Sequence, residues 1–226
     1  MRQLLAALAL IASPAYAARP FVTDDARVVD PQGCQVETFY KRQREFREQE
    51  FWILPACNPW GSVELTLGAS WVDSTQPGDS RSLILQGKTV LVPLETNGTG
   101  FAVTLGVAQV SPFQSPRVWN PYVNGAGSFS FFNDRIVLHA NLGALRDNQL
   151  HITRGTWGIG AEILLVAPRL YGILESYGQR LEKPTLHGGV RIWIVPNRVQ
   201  LDATVGTQHA APFDRRFSTI GLRLLW

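Results

Sequence analysis

The chain ends in the stretch FSTIGLRLLW, residues 217–226. From position 220 onward every second residue is large and apolar: Ile220, Leu222, Leu224 and Trp226. The positions between them are small or polar: Thr219, Gly221 and Arg223. Because successive side chains of a β-strand point to opposite faces, this period of two predicts a strand with one apolar and one polar face.

Segments of this kind recur along the chain, and no helical period of any length accompanies them. Repeated alternation over about ten residues is typical of a transmembrane β-barrel. We therefore predict an all-β, antiparallel up-and-down transmembrane barrel of about twelve strands over residues 34–226. The predicted strands are 35–44, 50–56, 62–73, 81–92, 100–110, 123–132, 135–145, 151–166, 169–177, 186–195, 198–207 and 217–226.

The connections between these predicted strands alternate in length. Those after even-numbered strands are short, such as Asn133-Asp134 and Pro196-Asn197, whereas those after odd-numbered strands are longer, such as 111–121 and 208–216. Short periplasmic turns and long outer loops are expected when both chain ends lie in the periplasm. A jelly roll or an immunoglobulin-like sandwich gives no reason for this alternation.

The first 17 residues have the pattern of a secretory signal peptide. A basic start at Arg2 precedes a short apolar run, and Ala15-Tyr16-Ala17 forms a small-x-small cleavage site. The apolar run is too short to span a bilayer, which takes about 20 residues. We expect export, cleavage after Ala17 and insertion in the bacterial outer membrane, with lipid and the barrel-assembly machinery as partners.

Residues 18–33 precede the first predicted strand and carry four charged side chains: Asp24, Asp25, Arg27 and Asp30. This segment either folds into the lumen as a plug or forms a loose periplasmic tail. After cleavage the chain keeps 20 basic and 18 acidic residues, and so weak an excess gives no reason to expect nucleic-acid binding.

Cys34 and Cys57 are the only cysteines. An even pair in an exported protein predicts a disulfide, and both residues fall at the periplasmic ends of the first two strands. A structural zinc site takes about four ligands, and the four histidines show no ligand spacing with one another or with the cysteines. We expect no metal and no cofactor.

Two tight turns fix the register of two predicted hairpins. Centring one hairpin on Pro196-Asn197 sets Arg191 opposite Asp202. The same register sets Ile192 opposite Leu201 and Ile194 opposite Val199. Centring the other on Asn133-Asp134 sets Phe131 opposite Ile136, and His139 opposite Ser128.

The polar faces collect charged side chains that we assign to the lumen: Glu37, Lys41, Glu64, Lys88, His139, Glu162, Arg191, Asp202 and Arg223. Glu175 has no clear face. Such a set forms a salt-bridge network in a wet interior, a polar constriction that selects solutes, or both. Eight strands leave a filled lumen and about 16–18 an open channel, so twelve predict a narrow or plugged pore.

The chain end resembles the C-terminal signal that the outer-membrane assembly machinery recognises. Leu222, Leu224 and Trp226 supply its alternating apolar row, although the last residue of that signal is usually Phe.

Two motifs resemble the outer-membrane family labelled putative MetA-pathway of phenol degradation. They are Arg19-Pro20-Phe21-Val22-Thr23-Asp24-Asp25 and Cys34-Gln35-Val36-Glu37. The resemblance extends to the succession of alternating strands up to the chain end. It implies transport of small, aromatic or hydrophobic compounds through a barrel.

Three functions compete on these observations. The first is passive or gated passage of a small solute, and the second is a structural or interaction barrel with a closed lumen. The third is lipid hydrolysis, because one family of twelve-stranded outer-membrane barrels is a phospholipase with a Ser, His and Asn on its lipid-facing wall. The nearest candidate here is His139-Ala140-Asn141, which points inward and has no serine two residues from His139. We therefore expect no enzyme.

Overall fold

A computed structural model describes residues 22–44, 47–75, 78–112, 118–210 and 213–226. These residues form twelve strands and no helix. Strands β1 to β12 are Cys34–Gln43, Gln49–Cys57, Val63–Asp73, Ser80–Val92, Thr99–Pro112, Trp119–Phe131, Ile136–Asp147, Ile152–Val166, Leu170–Gln179, Thr185–Val195, Val199–Ala210 and Phe213–Leu225.

Each strand pairs antiparallel with its neighbours in the chain, and β1 pairs with β12 to close a barrel. The closure begins where the Cys34 N–H donates to the Trp226 carbonyl at 2.9 Å, and the Trp226 N–H donates back at 3.0 Å. The prediction of a closed antiparallel twelve-stranded barrel is confirmed. Closure leaves no free sheet edge, which a membrane-spanning sheet requires.

The polar face of the wall lies inside the barrel and the apolar face outside. On β3, Glu64 and Thr66 are buried, whereas Leu65 and Leu67 are 41% and 61% exposed. Leu142 on β7 is 76% exposed. A broad apolar exterior with a polar interior is the arrangement that a bilayer stabilises. Within the described part of the chain, no helix is long and apolar enough to cross a membrane.

The two predicted hairpin registers agree with the structure except next to one turn. Arg191 lies opposite Asp202, Ile192 opposite Leu201, and Ser128 opposite His139. The prediction that Ile194 faces Val199 is wrong. A bulge between Trp193 and Val195 shifts the register by one residue, so that Val195 faces Val199. Such a bulge accommodates one extra residue beside a tight turn.

The predicted alternation of loop lengths is also wrong. Connections at the end of the barrel where the termini meet, hereafter the terminal end, have 5, 6, 4, 3 and 3 residues. Those at the opposite end have 5, 6, 6, 4, 5 and 2 residues. The strands extend into stretches that we predicted as loops; β6 begins at Trp119 and includes Pro121. Pro121 lies before the ladder with β7, which begins at Tyr122, so its missing N–H breaks no bond there.

Cys34 and Cys57 face each other on β1 and β2 and form the predicted disulfide, with their Cα atoms 4.1 Å apart. The bond lies at the terminal end, immediately after residues 22–33. On the loop-entropy model, closing a span of this length stabilises the fold by about 3 kcal/mol.

Deleting Trp226 should lower the amount of assembled barrel more than it lowers synthesis. Its side chain is 70% exposed, and its backbone makes the two hydrogen bonds that begin the β1–β12 closure. Quantitative blotting of membrane and total fractions measures the effect. Trp60→Ala is the matched control, because Trp60 is 71% exposed near the same end. Normal membrane levels without Trp226 would contradict an assembly role for this residue.

Candidate functional site

The candidate site is the barrel interior. All nine side chains assigned to the lumen lie at inward positions. Seven are buried: Glu37, Glu64, Lys88, His139, Glu162, Arg191 and Asp202. Lys41 and Arg223 are partly exposed, with 23% and 15% of their side chains accessible. The structure brings these residues together in ion pairs rather than leaving them as isolated charges.

Arg191 is the centre of the first ion-pair cluster. Its Nε and Nη2 donate to the two carboxylate oxygens of Asp202, at 3.0 and 3.1 Å. Its Nη1 donates to Glu162, and Gln200 donates to Asp202 at 3.2 Å. His139 Nε2 lies 3.8 Å from Glu162. One guanidinium therefore compensates two buried carboxylates, with a bidentate geometry toward one of them.

Two further pairs join β1 to its neighbours. Arg223 Nε lies 3.2 Å from Glu37 and donates to Gln35 at 2.6 Å. Lys41 Nζ donates to Glu50 at 3.1 Å. These contacts lie across the β1–β12 and β1–β2 pairings and hold the closure of the barrel from the inside.

The interior also contains a carboxylate–imidazole–hydroxyl chain that the sequence did not predict. His187 Nδ1 lies 2.5 Å from Glu175, and its Nε2 lies 2.5 Å from Thr204 Oγ1. The order of groups resembles a hydrolase triad, but Glu175 also accepts the backbone N–H groups of Val22 and Thr23, at 2.9 and 2.8 Å. His187 and Arg191 are four residues apart on the same strand and therefore point to the same face. This spacing could have placed His187 in the lumen.

Residues 22–33, hereafter the inner segment, lie within the barrel and bond to its wall. The Asp24 N–H donates to Asn141 Oδ1 at 2.7 Å, and Asn141 Nδ2 donates back to the Asp24 carbonyl at 2.8 Å. The Ala26 N–H donates to Ser128 Oγ at 2.8 Å. Backbone groups without a strand partner are therefore satisfied by inward side chains.

The inner segment extends from the terminal end, its lower end, to about the middle of the barrel, its upper end. At its lower end the Val29 N–H donates to Glu64 at 2.9 Å, and Asn58 Nδ2 donates to the Val29 carbonyl at 2.8 Å. At its upper end Thr23 lies against β8, where a Cβ at Gly158 would come within 2.8 Å of Thr23 Oγ1. Glycine at position 158 therefore allows the segment to approach the wall.

An ion pair adds to these backbone bonds. Lys88 Nζ lies 2.7 Å from Asp24 and 3.3 Å from Asp25, and both Lys88 and Asp25 are buried. Because a buried charge is costly without its partner, this pair ties the position of the segment to β4.

Beside the inner segment the interior leaves a cavity of about 80 Å³. Its lining includes Asp24, Glu37, Lys88, Tyr122, Asn141 and Tyr177. This volume is enough for only a few water molecules.

The interior also has an apolar side. Trp52 and Leu54 on β2 pack with Ile84 on β4 and Ala108 on β5, and Phe39 and Tyr122 lie against them. The rings of Phe39 and Trp52 stack with their centroids 5.9 Å apart. We did not predict this cluster, because we assigned only polar and charged side chains to the inward face.

Two turns at the terminal end are linked through their side chains. Thr96 donates to Asp134 at 2.6 Å, Ser130 also donates to Asp134, and Asn97 Nδ2 donates to Asn133 at 2.7 Å. The hydrogen bonds from Ser130 and Thr96 hold the pKa of the Asp134 carboxyl below its ordinary value. They join the β4–β5 turn to the β6–β7 turn.

A family model described as "Uncharacterised conserved protein UCP029691" matches residues 5–226. This match does not confirm the resemblance to the MetA-pathway family. No curated protein matches the chain.

Several solved barrels are similar in fold. A KdgM porin is 10% identical, with 84% of this chain and 98% of that chain covered and a TM-score of 0.56. A NanC porin is 6% identical, with the same two coverages and a TM-score of 0.60. The COG4313 outer membrane channel from Pseudomonas putida F1 is 10% identical, with 89% and 98% covered and a TM-score of 0.59. At these identities the likeness concerns the fold, which is that of bacterial outer-membrane barrels.

Proposed function

We propose that this chain, which belongs to the family of conserved proteins whose model matches residues 5–226, is a gated outer-membrane channel for a small solute. The terminal end faces the periplasm, and the inner segment is the plug that closes the lumen.

The observation that carries this proposal is the way in which the inner segment is held. It is bound to wall side chains on β3, β4, β6, β7 and β9, largely through its own backbone N–H groups. These bonds can be exchanged for bonds to water, since the wall groups are polar and remain in a lumen. The inner segment can therefore leave the wall groups while it remains covalently attached to β1. A plug that opens and closes the lumen needs this property.

The lining of the interior favours a small aromatic or hydrophobic solute with a polar group. Tyr122 and Tyr177 line the cavity beside Asn141 and Lys88. Lys41 Nζ lies 5.1 Å from the ring centroid of Phe217, which offers a further mixed aromatic and cationic surface. The solute class implied by the N-terminal motif is the same. Swelling of liposomes in a small phenolic solute and in a sugar of similar mass compares the two classes.

Weakening the ion pair of the plug should raise channel activity. The double variant Asp24→Asn/Asp25→Asn removes both carboxylates that contact Lys88. A charge-assisted hydrogen bond contributes about 1.5–3 kcal/mol, and about 1.4 kcal/mol shifts a closed-to-open ratio tenfold. Single-channel recording should therefore show a closed-to-open ratio at least about tenfold lower than that of the native chain.

Asp30→Asn is the matched control, because Asp30 is an exposed carboxylate in the same segment. It should leave the recordings unchanged. If the native chain and the double variant are both folded and neither conducts, a structural or interaction barrel with a closed lumen is the better interpretation.

A further inference from the structure

Two rows of outward side chains cross the barrel wall in register. The first row joins residues that are directly opposite one another on β7 to β12 and then on β1: Leu138, Ala161, Leu174, Gly188, Val205, Ser218 and Arg42. The second row runs beside it, two residues further along each strand: Ile159, Ser176, Leu186, Thr207 and Arg216. Arg44 continues the second row, because its N–H donates to the Arg216 carbonyl at 3.3 Å.

All of these residues, together with Arg47, line one groove on the wall with a volume of about 1880 Å³. A row follows the hydrogen-bond direction, which is oblique to the barrel axis because the strands tilt by about 35–45°. The groove therefore climbs from near the terminal end of β7 to the opposite end of β1. From β7 to β12 it is about 24 Å long at an interstrand spacing of about 4.8 Å. Because the row is inclined by about 35–45°, it rises by about 14–17 Å along the barrel axis, which is about half of a hydrocarbon core of about 30 Å.

The lower part of the groove is apolar. Its large side chains are well exposed on the outer wall, with accessible fractions between 40% and 66%: Leu138, Ile159, Leu174, Leu186 and Val205. Small residues lie between them, at Ala161, Ser176 and Gly188, and the Leu174 side chain packs over Gly188, where a Cβ would come within 2.8 Å of its Cδ2. This surface has the shape and polarity that an extended acyl chain fills.

The upper end of the groove is strongly basic. Arg42, Arg44, Arg47 and Arg216 are all exposed there. Tyr40 lies two residues before Arg42 and begins an aromatic row with Phe51 and Trp71, whose rings lie 6.0 Å apart.

Such an aromatic belt marks the interface between hydrocarbon and headgroups. The guanidinium groups therefore lie at headgroup level. Acids also lie close to this cluster: Glu48 directly follows Arg47, and Asp73 faces Gln49, the partner of Arg42.

We propose that this groove binds a phosphorylated lipid of the outer leaflet, of the lipid A class, with an acyl chain along the two rows and a phosphate on Arg42, Arg44 and Arg216. Guanidinium groups match phosphate in a fork geometry, and an acyl chain covers the apolar row. The site rests on the outer-membrane placement in the proposed function. It does not depend on whether the lumen conducts.

The test is a titration of the full-length barrel in detergent with purified lipid A, followed by native mass spectrometry. The triple variant Arg42→Ala/Arg44→Ala/Arg216→Ala should raise the Kd for lipid A by about tenfold or more. Arg81→Ala/Arg135→Ala/Arg169→Ala is the control of equal charge change, since these exposed arginines lie outside the groove, and it should bind like the native chain. Dephosphorylated lipid A should bind the native barrel as weakly as lipid A binds the groove variant.

A second variant tests the apolar part without changing charge. Ser218→Trp places an indole in the first row beside Val205 and should also weaken lipid A binding. Leu85→Trp, at an exposed position outside the groove, is its control.

Equal binding of lipid A by the groove variants and their controls would overturn the site. Equal binding of lipid A and phosphatidylethanolamine by the native barrel would do the same. A barrel that conducts without binding lipid A contradicts this inference alone, whereas one that binds lipid A and never conducts contradicts the channel alone.

Discussion

A mature chain that begins at Gln32 should conduct steadily, whereas the chain that begins at Ala18 should be closed for most of the time. The shorter chain lacks residues 22–31 of the inner segment but keeps Cys34 and its disulfide to Cys57. The barrel wall, its closure between β1 and β12 and its apolar exterior remain complete. The expected difference is therefore in the lumen and not in the fold.

The physical reason lies in the space that the segment fills. A barrel of twelve strands is intermediate between small filled barrels and wide porins, so its state depends on what occupies the interior. With the segment absent, the wall groups that held it are free to bind water: Asn58, Glu64, Lys88, Ser128, Asn141 and Glu175. Their hydration should turn the small cavity beside the segment into a continuous aqueous path.

Planar-bilayer recording of both refolded chains measures this change. A third chain that begins at Val22 is the matched control, because it is also shortened but keeps every described contact of the inner segment. It should behave like the chain that begins at Ala18. The chain that begins at Gln32 could instead remain closed while circular dichroism shows native strand content. That result would mean that the inner segment does not gate the channel. The apolar cluster around Trp52 would then be the barrier.

The barrel itself was predictable because its strands alternate between inward polar and outward apolar residues along the whole chain. Alternation placed Arg191 and Asp202 on one face, and the Pro196-Asn197 turn set them opposite each other, as the structure has them. Each of these inferences uses only residues that are near in sequence and a period that the backbone imposes. The same reasoning failed at Ile194, where a bulge inserts one residue into that period.

The inner segment could not be located in the same way. It has no period, and its position depends on single hydrogen bonds between its backbone and wall residues that are far away in sequence, such as Thr23 with Glu175. Both a plug and a loose tail were therefore open on the sequence. Glu175 itself had no clear face, and its partner His187 was no more than one polar residue among several. The predicted loop lengths were wrong because the strands continue into stretches that we predicted as loops, such as residues 119–121 at the start of β6.

Replacing Arg191 by Met should destabilise the barrel by about 3 kcal/mol or more, the range expected when one partner of a buried ion pair is removed. Arg191 is 3% exposed and donates to both Asp202 and Glu162, so the variant leaves two carboxylates without their cation. The free energy of unfolding, measured by urea titration in a lipid or detergent host, reports the loss. Arg198→Met is the control, because Arg198 lies exposed in the β10–β11 turn, and it should change stability by less than about 0.5 kcal/mol.

The same cluster provides a rescue experiment. Adding Glu162→Gln and Asp202→Asn to Arg191→Met replaces an uncompensated charged pair by neutral amides of similar shape. Because the cost of Arg191→Met arises from unpaired buried charge and not from lost volume, the triple variant should regain most of the stability. If it remains as unstable as Arg191→Met alone, the contribution of Arg191 is packing of its long side chain against the wall. An Arg191→Met barrel as stable as the native one would mean that lumen water already screens these carboxylates, and that the polar interior is wet throughout.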